Sequence, residues 1–151
     1  MYTDTLIKIF NRDLTKLKYE IECYSTERKL WIVDKSITNS AGNLCLHLVG
    51  NLNHFIGAVL GNTEYVRQRN LEFSLKDVPK RELLKQIDDT ILVVTETLSQ
   101  LNSADLDGLY PIEVFKEPMT TEYFLTHLVH HLAYHLGQIN YHRRLLDASN
   151  D

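Results

Sequence analysis

Apolar residues recur along most of this chain at steps of three and four positions, the spacing that places them on one face of an α-helix. Four segments of bundle length carry this pattern, at residues 6–21, 43–60, about 79–102 and 121–147. No segment keeps the two-residue alternation of a half-buried strand. The pattern therefore predicts an all-α fold, a four-helix bundle with a long crossover connection.

Residue types at the segment ends predict where the helices begin and stop. Ser40 precedes the second segment, and Gly and Asn at 61–62 close it with residue types that favour left-handed geometry. Ser74 or Asp77 is expected to cap the third helix, which should end near Asn102. The crossover is then the stretch containing Gly and Pro between the third and fourth helices.

Length, charge and cysteine content limit the classes of function. With 151 residues, of which 44% are hydrophobic, the chain suits a single domain over residues 1–151 that buries its own core. A formal net charge of −4 leaves no broad basic surface for phosphates, so we expect no nucleic-acid partner. The sequence has no signal-like or membrane-spanning apolar run, and Cys23 and Cys45 form no CxxC motif. We therefore expect a cytoplasmic protein without membrane association or a disulfide framework.

The histidines are confined to two of the predicted helices. Of the seven, His47 and His54 lie on the second helix and the other five on the fourth. On the fourth helix, steps of four residues link His127, His131 and His135, and each step turns the helix by only about 40°, so the three side chains line one face. On the second helix, a polar stripe of the same kind runs through apolar neighbours.

A divalent metal ion would explain why histidines lie on the polar stripes of both helices. Several imidazoles on facing helices compete for hydrogen-bond donors, and they would repel one another if protonated. Two histidines at i and i+4, with a third from a neighbouring helix, provide three nitrogen ligands and leave coordination positions open. The predicted ligands are His131 and His135 with His47, and His54 is the alternative on the second helix. The remaining polar residues predicted to orient the ligands, or to replace one, are His54, His127, Asn51 and Gln138.

The donor set also restricts the ion. Imidazole nitrogens suit Zn²⁺, Ni²⁺, Cu²⁺, Co²⁺ and Fe²⁺, whereas Mg²⁺ and Ca²⁺ prefer carboxylates that the set lacks. The donor set alone does not select among these ions. We expect a divalent transition metal as cofactor, with Zn²⁺ or Ni²⁺ favoured. The competing interpretation is that the histidines are ordinary packed or solvated residues.

Three motifs resemble those of a known family. The second helix contains HLVGN at 47–51, the segment after it contains RQRNLEF at 67–73, and the last helix contains HLAYHLGQI at 131–139. Together they resemble the DinB-like superfamily, and more narrowly its branch of small uncharacterised proteins with H-x-x-G-N and H-x-G-Q-I helices. The resemblance covers most of the chain, from about residue 27 onward.

This resemblance carries implications for fold and function. It implies a four-helix bundle whose three histidine ligands correspond here to His47, His131 and His135. Better-studied members of the superfamily include metal-dependent transferases that use low-molecular-weight thiols such as bacillithiol or mycothiol, a maleylpyruvate isomerase, and stress-induced proteins without known activity. The partners implied are a small-molecule thiol, an electrophilic substrate and a second copy of the chain in a homodimer.

Other residues have two interpretations each. Arg67 and Arg69, close to Glu72, would either anchor a loop by salt bridges or contact an anionic substrate. Tyr134 would either pack or border the mouth of a substrate cavity. Three functions remain open: a metal-dependent transferase, a noncatalytic metal-binding, stress-response protein, or a protein with a vestigial site that acts by dimerisation. A fourth protein ligand would favour the second, because closed metal sites are structural.

Overall fold

A computed structural model describes residues 2–147 of the chain. Within this range the regular structure is helical, apart from one isolated bridge between Leu109 and Thr120. The helices are α1 (Tyr2–Glu22), α2 (Ala41–Leu52), α3 (Val59–Gly61), α4 (Arg69–Ser74), α5 (Lys80–Ser99), α6 (Ser103–Asp107) and α7 (Thr121–Leu146), with a 3₁₀ turn at Glu27–Trp31 and a π-helical turn at Asn53–Ala58. The prediction of an all-α fold is confirmed. None of the helices in this range combines the length and apolar content needed to cross a bilayer.

The second predicted helix is present, but it is not a regular α-helix throughout. Ser40 caps it as expected, because its hydroxyl oxygen accepts a hydrogen bond from the backbone N–H of Asn43. The π-helical turn then separates α2 from α3, a local widening that often accompanies functional sites. The helix ends at Asn62, whose φ of 52° and ψ of 33° are the left-handed geometry that the sequence predicts.

The third predicted helix has different ends from those expected. Neither Ser74 nor Asp77 caps α5, because Pro79 occupies its N-cap position; Ser74 lies in α4, and Asp77 adopts a left-handed φ of 59° between the two helices. The first N–H of α5, that of Lys80, instead donates to the Glu27 carboxylate at 3.1 Å. The helix also stops before Asn102, because the Asn102 side chain caps α6. The segment between α5 and α7 therefore contains a short helix of its own.

The central element of the fold is α2. All of its residues are buried, because it packs against α4, α5 and α7 at once, while α1 packs against α5 and α7. A fully enclosed helix carries its polar side chains into the interior, where each needs a hydrogen-bond partner. The polar side chains of α2 are Asn43, His47 and Asn51.

Candidate metal centre

Three histidines from two helices meet in the interior. The Nε2 atom of His131 on α7 lies 3.1 Å from Nε2 of His47 on α2 and 3.2 Å from Nε2 of His135 on α7. One ligand atom from each residue lies within 4.8 Å of the other two. His47 is buried, and both α7 histidines are half-buried. We call these three residues the histidine cluster.

Glu72 determines which nitrogen of His47 carries the proton. Burial alone raises the pKa of the Glu72 carboxyl, but hydrogen bonds from His47 and Arg67 outweigh that effect and hold the pKa below its usual range. The carboxylate accepts a hydrogen bond from Nδ1–H of His47 at 2.9 Å between Oε1 and Nδ1. In the neutral His47 ring this hydrogen bond leaves Nε2 without a proton, so that its lone pair faces the cluster.

Gln138 plays the same part for His135. Its side-chain oxygen, one turn further along α7, lies 2.7 Å from Nδ1 of His135 and accepts a hydrogen bond from Nδ1–H. This leaves the Nε2 lone pair of His135 facing the cluster as well.

His131 lies between these two lone pairs and cannot satisfy both. Its single Nε2–H can be donated to only one of them, and its buried Nδ1 has no hydrogen-bond partner among the described residues. A second proton on the ring does not resolve the shortage. Burial, followed by the neighbouring His135 and His47, lowers the pKa of His131 from 6.5 to about 3.

The cluster fits a divalent metal ion. Two nitrogens bound to one ion at about 2.0–2.1 Å lie roughly 2.8–3.4 Å apart when the angle between the bonds is between 90° and tetrahedral. The observed separations of 3.1 and 3.2 Å fall in this interval. A cation would also satisfy the converging lone pairs that the protein's own protons leave unmatched. The three histidines could therefore hold a divalent metal.

Glu72 is itself held firmly against α2. Arg67 donates two hydrogen bonds to the carboxylate, from Nε to Oε2 at 2.8 Å and from Nη2 to Oε1 at 2.9 Å. The Asn43 amide nitrogen donates to the backbone oxygens of Glu72 at 3.0 Å and Leu75 at 2.8 Å, which ties the end of α4 to α2. A side chain at Gly50 would overlap with the carboxylate, so the glycine of the H-x-x-G-N motif makes room for it.

The two arginines have protein partners. Arg67 is engaged with Glu72, which is the salt-bridge role that one of the two sequence interpretations assigns to it. Arg69 lies over the Phe73 ring, 5.1 Å from its centroid, and that ring packs on His47 with 4.8 Å between centroids. The orienting role of Glu72 is a feature that sequence reasoning missed. Its signal was the fixed spacing of Arg and Glu in R-x-R-x-x-E-F.

The remaining polar candidates lie outside the cluster. His54 follows His47 by two turns, a rise of about 10.5 Å, and packs its ring on Phe55. His127 lies one turn before His131, with 6.4 Å between ring centroids. Neither belongs to the group whose ligand atoms converge. Asn51, one turn after His47 on α2, is buried. Its side-chain oxygen has no hydrogen-bond partner among the described residues.

His142 is a structural residue. Its Nε2–H donates to the backbone oxygen of Ile32 at 2.8 Å, and its Nδ1 accepts from the Tyr24 hydroxyl at 2.6 Å. Both ring nitrogens are therefore satisfied within the protein.

A cavity of about 490 Å³ adjoins the cluster at His135. Residues 36–39 line one part of it, and Tyr134, Gln138 and Tyr141 line another. His135 thus contributes to both the histidine cluster and the cavity wall.

Fold and site together define an all-helical protein with a partly buried three-histidine group that could hold a metal. The chain belongs to the family described as "Protein of unknown function (DUF1572)", which matches residues 1–150. A solved structure described as "Crystal structure of the conserved protein of locus from Enterococcus faecalis" superposes with a TM-score of 0.75 over 97% of this chain and 98% of that one. The two chains are 14% identical, so this similarity shows the fold alone. No curated protein matches the chain.

Proposed function

We propose that this protein binds one divalent transition-metal ion through His47, His131 and His135, with Zn²⁺ or Ni²⁺ as the ion. The observation that carries the proposal is that the Nε2 lone pairs of His47 and His135 both converge on His131, which has a single Nε2–H to donate. The network around the cluster supports it, because metal-bound histidines commonly donate their other N–H to a carboxylate or amide oxygen.

We further propose a DinB-like four-helix bundle forming a single domain. The long helices α1, α5 and α7 would be its first, third and fourth members, and α2 with its continuation to α3 the second. In support, α1 and α2 each pack against both α5 and α7. The segment between α5 and α7, with α6, would be the crossover connection.

The activity we propose is a metal-dependent transfer of a small-molecule thiol to an electrophile. A bound divalent ion would lower the pKa of a coordinated thiol or water, so that the nucleophilic anion exists near neutral pH. Transfer would join the thiol sulfur to the electrophilic carbon, release the leaving group and pass the thiol proton to solvent. Glu72 and Gln138 would keep the protons of His47 and His135 on Nδ1, and Arg67 would keep Glu72 in place.

The number of protein ligands favours catalysis over a purely structural role. Among residues 2–147, the convergent group consists of three histidines. Structural zinc sites are usually closed by four protein ligands, whereas catalytic sites keep a position for water or substrate. The cavity at His135 would give a substrate access to that position.

Elemental analysis tests the metal site. We expect near-stoichiometric transition metal in the untagged parent and in His130→Ala, an exposed residue of α7 outside the cluster. The His131→Ala/His135→Ala variant should contain none. A parent that takes up no metal, even after reconstitution with Zn²⁺ or Ni²⁺, would refute the proposal.

Activity is tested separately. Conjugation of a bimane electrophile with low-molecular-weight thiols should require metal and be lost in the double variant. The alternative, a noncatalytic metal-binding protein, is favoured by the fact that the ligands come from two helices, so that an ion would join α2 to α7. Metal-dependent stability without conjugation by any thiol tested would support that alternative.

A further inference from the structure

The cavity beside His135 has a wall without charged side chains. None of its lining residues is Asp, Glu, Lys or Arg. Arg144 packs on the Tyr141 ring at 5.3 Å from its centroid, but it is not among the lining residues. A charged ligand would lose part of its hydration on entry and gain no counter-charge from this wall. In the protein without a bound metal, the wall therefore favours an uncharged ligand.

One stripe of α7 gives the cavity its aromatic character. Tyr134, Gln138, Tyr141 and Leu145 follow one another at steps of four, three and four, which places them on one helical face. Tyr134 and Tyr141 are 65% and 64% exposed, and Leu145 is 69% exposed. A stripe with this spacing normally packs against another element, and exposed apolar groups of this kind often mark a binding site.

Gln138 supplies the polar contact in the middle of this stripe. Its side-chain oxygen is committed to Nδ1–H of His135. The amide NH₂ on the same side chain therefore remains to donate to a ligand. The volume, about 490 Å³, lies within the range of ordinary small-molecule pockets, roughly 300–1,000 Å³.

We propose that this cavity binds an uncharged small molecule, whose aromatic ring packs on Tyr134 and Tyr141 and whose hydrogen-bond acceptor meets the Gln138 amide. This inference deepens the proposed function, because His135 belongs to both the histidine cluster and the cavity wall. The ligand's role as the electrophilic substrate rests on that proposed function. The binding step needs no metal, and it can be measured whether or not the cluster holds one.

A matched pair of fluorescent probes tests the proposal. One is uncharged 6-propionyl-2-(dimethylamino)naphthalene, with a carbonyl acceptor, and the other is 6-(dimethylamino)naphthalene-2-carboxylate, with the same ring system and a negative charge. Both are titrated into the full chain, metal-loaded and chelator-treated. In the chelator-treated protein we expect the uncharged probe to bind at one site, at least tenfold more tightly than the carboxylate.

Variants locate the binding site. Tyr141→Ala should weaken binding of the uncharged probe at least fivefold, and Tyr141→Phe should restore it because the ring is retained. The control is Tyr123→Ala, a residue of α7 that is 62% exposed and outside this cavity. It should bind like the parent. Circular dichroism checks folding, which replacement of such exposed side chains should leave intact.

The contrary outcomes are distinct. Equal affinity for the two probes, or probe binding unaffected by Tyr141→Ala, would overturn the inference while leaving the metal site unaffected. The inference would also be overturned if sedimentation showed a dimer that Tyr141→Ala dissociates and no probe bound. The stripe would then be covered by a second copy of the chain. Failure of metal binding with intact probe selectivity would instead refute the proposed function alone.

Discussion

Replacement of Glu72 by Gln tests whether this side chain orients the metal ligand or only anchors a loop. The carboxylate accepts three hydrogen bonds, one from His47 and two from Arg67, and it is buried. The amide oxygen of Gln can still accept from His47, but its NH₂ faces the Arg67 donor that bonded to Oε2. One charge-assisted hydrogen bond is therefore lost, at a cost of about 1.5–3 kcal/mol in the free energy of unfolding.

The metal affinity should fall as well. Substitution of a group that supports a metal ligand typically weakens binding by roughly 10–100-fold. Two measurements are needed, urea unfolding of the metal-free protein and competition with a chromophoric chelator for Zn²⁺. The matched control is Glu64→Gln, the same change at an exposed position nearby. If Glu72→Gln loses stability but binds Zn²⁺ like the parent, the orienting role is wrong and Glu72 only anchors α4.

Three further predictions concern stability. Gly50→Ala should destabilise the protein by about 1–3 kcal/mol and weaken metal binding, because the added methyl overlaps with the Glu72 carboxylate. Gly137→Ala on α7 is its control and should stabilise by up to about 1 kcal/mol, because nothing lies near the added methyl and Ala favours the helix; equal losses in both variants would contradict the steric argument. His142→Ala should cost about 1–3 kcal/mol in urea unfolding, because it leaves the Ile32 backbone oxygen without this donor and the buried Tyr24 hydroxyl with only a 3.4 Å hydrogen bond to the Ile139 backbone oxygen, yet elemental analysis should show unchanged metal content. Zn²⁺ at roughly a hundred times its Kd should add about 2.7 kcal/mol to the parent, or roughly 5–10 °C in Tm by calorimetry, and nothing to the double histidine variant.

The helices and the spacing of the α7 histidines were predictable from the sequence. Apolar periodicity locates the long helices, and the Gly-Asn pair at 61–62 predicts the left-handed end that Asn62 adopts. The relation between His131 and His135 follows from a four-residue step on one helix, whatever surrounds it. These features depend on neighbours within one or two turns, so local sequence determines them.

Tertiary packing decided the rest. Glu27 replaced the expected side-chain cap of α5, because packing brought a distant carboxylate to the first N–H of that helix. Whether His47 or His54 lies opposite the α7 histidines depends on how α2 is positioned along α7. The apolar periodicity of the sequence does not specify that position. Glu72 reaches His47 only because α4 packs on α2 beside Gly50, and the cavity at His135 exists because residues 36–39 lie near α7. Each of these contacts joins segments far apart in the chain. The energy of such a contact depends on burial and on the direction of the side chains in three dimensions, which the order of residue types along the chain does not specify.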